Sequence, residues 1–440
     1  MLDSLISNVT AVTMNEKMDV LFGAYIGITD GKISYIDKKP PEEKPVCIID
    51  GTGMVAMPGL INCHTHLATT ALRYLFDDAP GREALEALLS KEAKLDSRSA
   101  KAAATLGIAE CLRFGITSVS DLYYYPEATA QAAAQSGIKA NIALSAYRFI
   151  DENEPFDFET DEQCALMRRV AEAWHGYDDG RICIDAGFYA EYTSNYPLWQ
   201  GLCAYAKQKG LRMQLHLAQT KQEAEDCQVR TGLTPAELLN CHGIFDVPAT
   251  AVGCTALSEF EQKLLAKKKT CAVATPTAYA KAGMESTPIL QLVKSGMNVA
   301  LGTGGAHECG NLDLFEQMRA AVCTQRVQGG DADAMPAQAA LLMATVCGAV
   351  AQGRTASAGM LKLGMDADIA MIDFSAPHLI PCHNVLSALV FGAKGGDVAM
   401  TMVRGRILYQ NGQFPTIDLK QQVQELTDYA FARLFDDRKE

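Results

Sequence analysis

Between Pro58 and Gly302 short apolar runs alternate with amphipathic stretches of ten or more residues. Apolar runs bounded by turn signals read as buried strands, and the longer stretches with a 3.6-residue period read as helices. The spacing predicts helices over Ser99–Phe114, Glu127–Ser136, Thr160–His175, Leu198–Lys209, Lys221–Thr231, Ser258–Lys267 and Thr287–Lys294. Between them it predicts strands over Ser118–Leu122, Lys139–Ser145, Arg181–Phe188, Arg212–Leu217, Thr250–Gly253, Thr270–Ala274 and Asn298–Gly302. Parallel strands need a crossover, and a helix supplies it. About eight such units of roughly thirty residues suit a closed (β/α)8 TIM-like barrel better than an open sheet. Leu312–Gln325 and Pro336–Gly348 add helices after the last strand.

The texture differs at both ends. Asn8–Met14, Ala24–Thr29, Lys32–Asp37, Cys47–Asp50 and Gly53–Met57 read as strands, with Asp30–Gly31 as a hairpin turn. Asp368–Asp373 and Val398–Tyr409 read as strands again, and residues 416–437 as a terminal amphipathic helix. The expected class is therefore α/β. Residues 1–57 would form one part of a small β-sandwich, 58–367 the barrel, and 368–440 the second part of the sandwich plus the helix. Asp151–Asp161 is acidic and suits a surface loop.

Composition excludes some functions. At 440 residues the chain exceeds an ordinary single domain, and 48% hydrophobic content supplies a large core. A net charge of −13 argues against nucleic acid and against a polybasic membrane contact. No apolar run reaches the roughly 20 residues of a spanning helix. Met1–Thr13 carries no basic residue ahead of its apolar stretch, so no signal peptide is read there. The 14 cysteines form no CxxC pair and read as reduced thiols of a cytoplasmic protein. The expected partners are a small-molecule substrate or ligand and further copies of the chain in a homo-oligomer.

The strongest local signal is Pro58-Gly59-Leu60-Ile61-Asn62-Cys63-His64-Thr65-His66. Residues i and i+2 of a strand share a face, so His64 and His66 can reach one cation from the end of a strand. Barrel enzymes place their sites at that C-terminal rim. His216, in Met213-Gln214-Leu215-His216-Leu217, ends another predicted strand. Taken singly, an HxH is a weak motif, and His216 reads as well as a core histidine bonded to a carbonyl.

Together these segments resemble the amidohydrolase superfamily, in its branch of S-adenosylhomocysteine and methylthioadenosine deaminases and related chlorohydrolases. The resemblance extends through Ala68–Arg73, Asp77–Asp78, Glu92–Leu95, Phe114–Asp121, Ala190–Ser194, His216–Thr220, Asn298–Gly302, Asn311–Arg319, Gly359–Asp373 and Val403–Gly405. It implies a divalent metal, zinc or another, on His64, His66 and His216. It implies a ribose-binding role for Glu92, and Tyr189 stands where the family has a substrate-side histidine. It also marks departures. Gln219 stands where the family has a proton-shuttling glutamate, Gly253 where strand six ends in a histidine, and Gly304 where strand eight presents an aspartate.

Glutamine cannot accept and return a proton at neutral pH, and glycine offers neither ligand nor base. The first expectation is thus a degenerate deaminase-like site acting on C–N bonds of ring amines, with weak or absent activity and a metal absent or weakly bound. The second is an active hydrolase that keeps the three histidines and recruits a base. Just past Gly304-Gly305, His307 could supply a fourth ligand and Glu308 a base; Glu191 is another candidate base, Asp121 could face the rim, Cys254 could be a soft ligand, and Gln219 holds the catalytic position itself. The third is a non-catalytic ligand-binding or scaffold protein.

Overall fold

The computed structural model describes residues 1–75, 77–78, 81–147 and 156–435, with the backbone alone at 81–85. Residues 151–155 of the acidic stretch, and the last two of the expected terminal helix, lie outside the described residues.

Nine parallel segments form the barrel sheet. They run Leu60–His66, Ile116–Tyr123, Lys139–Leu144, Ile182–Gly187, Met213–Leu217, Ala249–Gly253, Cys271–Ala274, Asn298–Leu301 and Gly304–Gly305. The last two are one strand broken at Gly302–Thr303. Asn298–Leu301 pairs with the seventh strand, whereas Gly304 and Gly305 pair with Thr65 and His66 of the first. The sheet therefore closes on itself as eight staves. Side chains on both faces of these strands are buried, as a parallel sheet covered by helices requires, which explains their unbroken apolar runs.

The crossover helices start where the sequence supplies caps. Asp96 accepts the Ser99 amide at the head of Ser97–Arg113, and Thr220 accepts that of Glu223 at the head of Lys221–Thr231. Pro336–Gly348, expected as one helix, is two: Ala337–Met343 and Val346–Gln352. Thr345 breaks them with a non-helical backbone while its hydroxyl donates to the Leu341 carbonyl.

The chain ends meet in one eight-stranded mixed sheet. Met54–Pro58 joins the two ends, pairing with Leu2–Val12 on one side and Ile369–Asp373 on the other. The first strand begins at Leu2, earlier than its polar residues suggest: the pairs Asp3–Ser4 and Ser7–Asn8 flank buried Leu5–Ile6, and the strand's register shifts between Ile6 and Val9. Ile26, Ile28 and Ile33 share a core with Met371, Met400 and Met402, so the sheet curls over its own apolar face.

Lys139 fastens this sheet to the barrel. It is fully buried on the third barrel strand, bonds Asp366 at 2.7 Å and also bonds Asp368. The terminal helix runs from Leu419 to Phe435 with a π turn at its centre, and packs Leu426, Ala430 and Leu434 against Ala100 and Ala103 near Leu72. No described helix is long and apolar enough to cross a membrane.

Candidate metal centre

The first strand ends at the rim with His64 and His66 buried, 2% and 7% exposed. Asn62, one turn of the pleat below, donates to the Thr303 hydroxyl at 2.8 Å and accepts the Thr303 amide at 3.1 Å. This pair of bonds locks the first strand to the eighth where the barrel closes. His216 arrives from the fifth strand across the mouth. Among the described residues these three are the group able to hold a metal ion, with their ligand atoms all within 4.8 Å of one another.

The hydrogen bonds select the tautomers. Nδ1 of His66 lies 2.6 Å from the Leu122 carbonyl and Nδ1 of His216 lies 3.0 Å from the Tyr189 carbonyl. A carbonyl only accepts, so both Nδ1 atoms carry the proton and both Nε2 atoms keep a lone pair. Nε2 of His216 is 3.2 Å from Nε2 of His64. Two nitrogens each about 2.0–2.1 Å from a tetrahedral zinc would stand roughly 3.3 Å apart. Burial, reinforced by His66 and His216, holds His64 well below the usual imidazole value. Burial and His66 lower His216 to about 4. Neutral, converging imidazole nitrogens fit a borderline-soft divalent cation.

The two glycine positions are occupied from elsewhere. Gly304 has φ +73°, and a Cβ on it would lie 2.6 Å from Oε2 of Glu308. Glu308 belongs to the short turn Ala306–Cys309 and folds back, accepting the Gly305 amide at 2.6 Å. Burial alone would raise its carboxyl. The imidazoles of His307, His66 and His216 and the Gly305 amide outweigh it and leave Glu308 below its ordinary value. At the end of strand six Gly253 has φ +98°, and a Cβ there would meet the Tyr279 hydroxyl at 2.6 Å and Cγ of Gln219 at 2.9 Å.

Gln219 donates its side-chain amide to that hydroxyl at 3.3 Å. Its backbone is pinned by Glu223, whose carboxylate accepts the amides of Ala218 at 3.0 Å and Gln219 at 2.7 Å. Burial raises Glu223 to about 7 despite those bonds.

A cavity of about 410 Å³ opens over the histidines, within the range of small-molecule sites. His64, His216, Gln219, Tyr279, His307 and Glu308 line it together with apolar Leu72, Leu75, Leu88 and Val252. His307 lies in this wall with its Nδ1 buried and without a hydrogen-bond partner among the described residues. At the outer edge Lys281 donates to Asp77 at 2.7 Å and to the His307 carbonyl at 3.0 Å.

The other residues singled out by sequence fall nearby with different partners. Glu92 accepts the Tyr123 hydroxyl at 2.5 Å, and burial raises its carboxyl, with Tyr123 opposing. Tyr189 packs its ring on His216 at 4.6 Å and stands behind the imidazole, outside the cavity lining. Asp121 accepts the Leu67 amide at 2.7 Å and the Thr129 hydroxyl at 3.0 Å, which fixes the turn leaving His66. Glu191 is paired with Arg230 at 2.5 Å, and Cys254 donates to the Ala251 carbonyl with its thiol raised by burial.

Sequence reasoning missed Tyr279 and Glu223. Tyr279 sits inside a helix, Pro276–Lys281, that follows strand seven, and nothing in its neighbours marks it as a rim residue. Glu223 carried a local signal, since Thr220 three residues earlier makes a helix start.

The amidohydrolase family model matches residues 55–408. The chain is 34% identical over 421 residues to 5-methylthioadenosine/S-adenosylhomocysteine deaminase of Thermoanaerobacter pseudethanolicus, covering 94% of this chain and 96% of that one. It is 33% identical to 5'-deoxyadenosine deaminase of Methanosarcina acetivorans, covering 97% of each chain. The zinc-bound structure of an adenosine deaminase from Xanthomonas campestris superposes with a TM-score of 0.91 at 26% identity, covering 98% of both chains.

Proposed function

The chain belongs to the amidohydrolase family, and from that premise we propose that it is an active zinc-dependent deaminase of adenosine-like nucleosides. The observation that carries this reading is the carboxylate of Glu308 in the space that Gly304 leaves open, in the same cavity wall as His64 and His216. The family pattern expects a carboxylate there. Here it would come from four residues further along the chain. The names of the similar deaminases favour an aminopurine nucleoside, and the apolar wall of Leu72, Leu75, Leu88 and Val252 suits a purine face.

His64, His66 and His216 would hold the ion. When bound, zinc makes water nucleophilic near neutral pH. Glu308 then has the protein's part in the chemistry. Held below its ordinary value, it is ionised at neutral pH and can act as a base. It would take a proton from water as the oxygen bonds to the ring carbon carrying the amine. It would return that proton to the amino nitrogen as the C–N bond breaks, releasing ammonia. Gln219 contributes no proton and is assigned a positioning role. Glu92, half-buried and bonded to Tyr123, is assigned to substrate hydroxyls.

The test is ammonia release from adenosine, 5'-deoxyadenosine, methylthioadenosine and S-adenosylhomocysteine by zinc-loaded protein. Turnover of at least one, abolished in His64→Ala, is expected. If zinc-loaded protein releases no ammonia from any of them, the degenerate, ligand-binding reading replaces this one.

A further inference from the structure

We infer that the Tyr279 hydroxyl, seated by Gln219 in the gap over Gly253, donates a hydrogen bond to the substrate base. This rests on the deaminase reading above and adds to it a catalytic residue that the sequence pattern does not mark. Tyr279 lies in the first turn of Pro276–Lys281, where its amide donates to the Thr275 carbonyl and its carbonyl accepts the Met284 amide. The ring is thus held on the wall next to the sixth strand. It is 5% exposed, and it lines the cavity with Gln219, Val252, His64 and His216.

Counting donors and acceptors gives the direction. The phenol oxygen accepts the Gln219 amide at 3.3 Å, and this is its one hydrogen bond among the described residues. Its own proton has no acceptor there. The hydroxyl faces the cavity, so an occupant that offers an acceptor there can take that proton. An adenine base offers N1, bonded to the reacting carbon, and N7, on the adjoining ring, and each is an acceptor. Burial pushes the Tyr279 phenol well above its ordinary range, so it donates without losing its proton.

Only a glycine at 253 leaves this room. Any side chain would begin 2.6 Å from the hydroxyl and 2.9 Å from Gln219. Gly253, Gln219 and Tyr279 therefore form one unit in which a missing side chain admits a hydroxyl from the helix after strand seven.

Tyr279→Phe removes the hydroxyl and keeps the ring. In zinc-loaded protein kcat/KM for the best aminopurine nucleoside should fall about 10- to 100-fold, with zinc content and melting temperature unchanged. Calorimetric titration of metal-free protein with the deaminated nucleoside should show about a tenfold rise in Kd. Gln219→Ala should lower kcat/KM less, and adding it to Tyr279→Phe should change little more, because both act through one hydroxyl. Unaltered kcat/KM and Kd in Tyr279→Phe, with a wild type that deaminates, would overturn the role of Tyr279 and leave the deaminase reading standing. A wild type that releases no ammonia from any such nucleoside would take both down.

Discussion

Glu308 and Gly304 share one space: Oε2 of the glutamate stands 2.6 Å from where a Cβ on the glycine would begin. The two positions are therefore coupled, and neither can be read alone. A side chain at 304 would displace the carboxylate, and removing the carboxylate would leave a gap beside the histidines.

Glu308→Gln keeps the shape and removes the base. Ammonia release should fall by about 10²–10⁴-fold, the usual worth of general acid–base help. Zinc content, measured by atomic absorption, should stay near that of the wild type. A variant retaining full turnover would move the base elsewhere.

Gly304→Asp should be inactive or nearly so, since the new side chain meets Glu308. Asp is among the few residues that tolerate positive φ. Gly304→Asp combined with Glu308→Ala should therefore recover part of the activity that either single change loses. A double variant no better than the worse single would show that the two carboxylate positions are not equivalent.

His216→Ala should weaken zinc binding by more than the roughly 10–100-fold that loss of an outer hydrogen-bond partner costs, because an imidazole nitrogen itself is lost. Competition with a chelator of known affinity measures this. Retention of zinc at wild-type affinity would place the ion away from His216.

Acid should release zinc later than ordinary histidines would allow. Protons compete with the metal only where the metal-free imidazole binds them. The folded value of His216 is lowered to about 4 and that of His64 is well below normal. His216 thus stays neutral, and able to hold zinc, above about pH 4, and gives it up as pH falls toward that value. Dialysis across pH 7 to 4 should show zinc retained at pH 5.5. A release midpoint near 6.5 would mean the imidazoles are solvated as in a free peptide.

Lys139→Met should destabilise the fold by about 3–5 kcal/mol, because it leaves Asp368 buried without its cation, while Asp366 keeps Lys32 and Arg404. Denaturant unfolding would report the loss. An unchanged midpoint would mean that the sheet of the chain ends is held to the barrel without that pair.

The barrel and its three imidazoles were legible because both depend on local pattern. Strand–helix alternation follows from hydrophobic period, and the i, i+2 spacing of His64 and His66 on a strand puts them on one face wherever that strand lies. His216 became persuasive only with its family context, since a lone histidine at a strand end has many ordinary explanations. The departures at Gln219, Gly253 and Gly304 were legible too, but their consequence was not.

What replaces a missing side chain is a matter of which atoms reach the same point, and chain neighbours do not decide that. Glu308 was visible as a candidate in sequence; that its carboxylate turns back over Gly304 depends on a turn closed by the Gly305 amide. Tyr279 was not visible at all, because its contact with Gly253 exists only where the exits of strands six and seven meet at the rim. The sequence by itself determined the scaffold and the nitrogen donors, which rest on periodicity and short spacing. Only the tertiary structure decided how the gaps left by two glycines are filled, because that is set by where atoms meet in space: a turn folding back over Gly304, and at Gly253 side chains from positions 219 and 279 far apart in the chain.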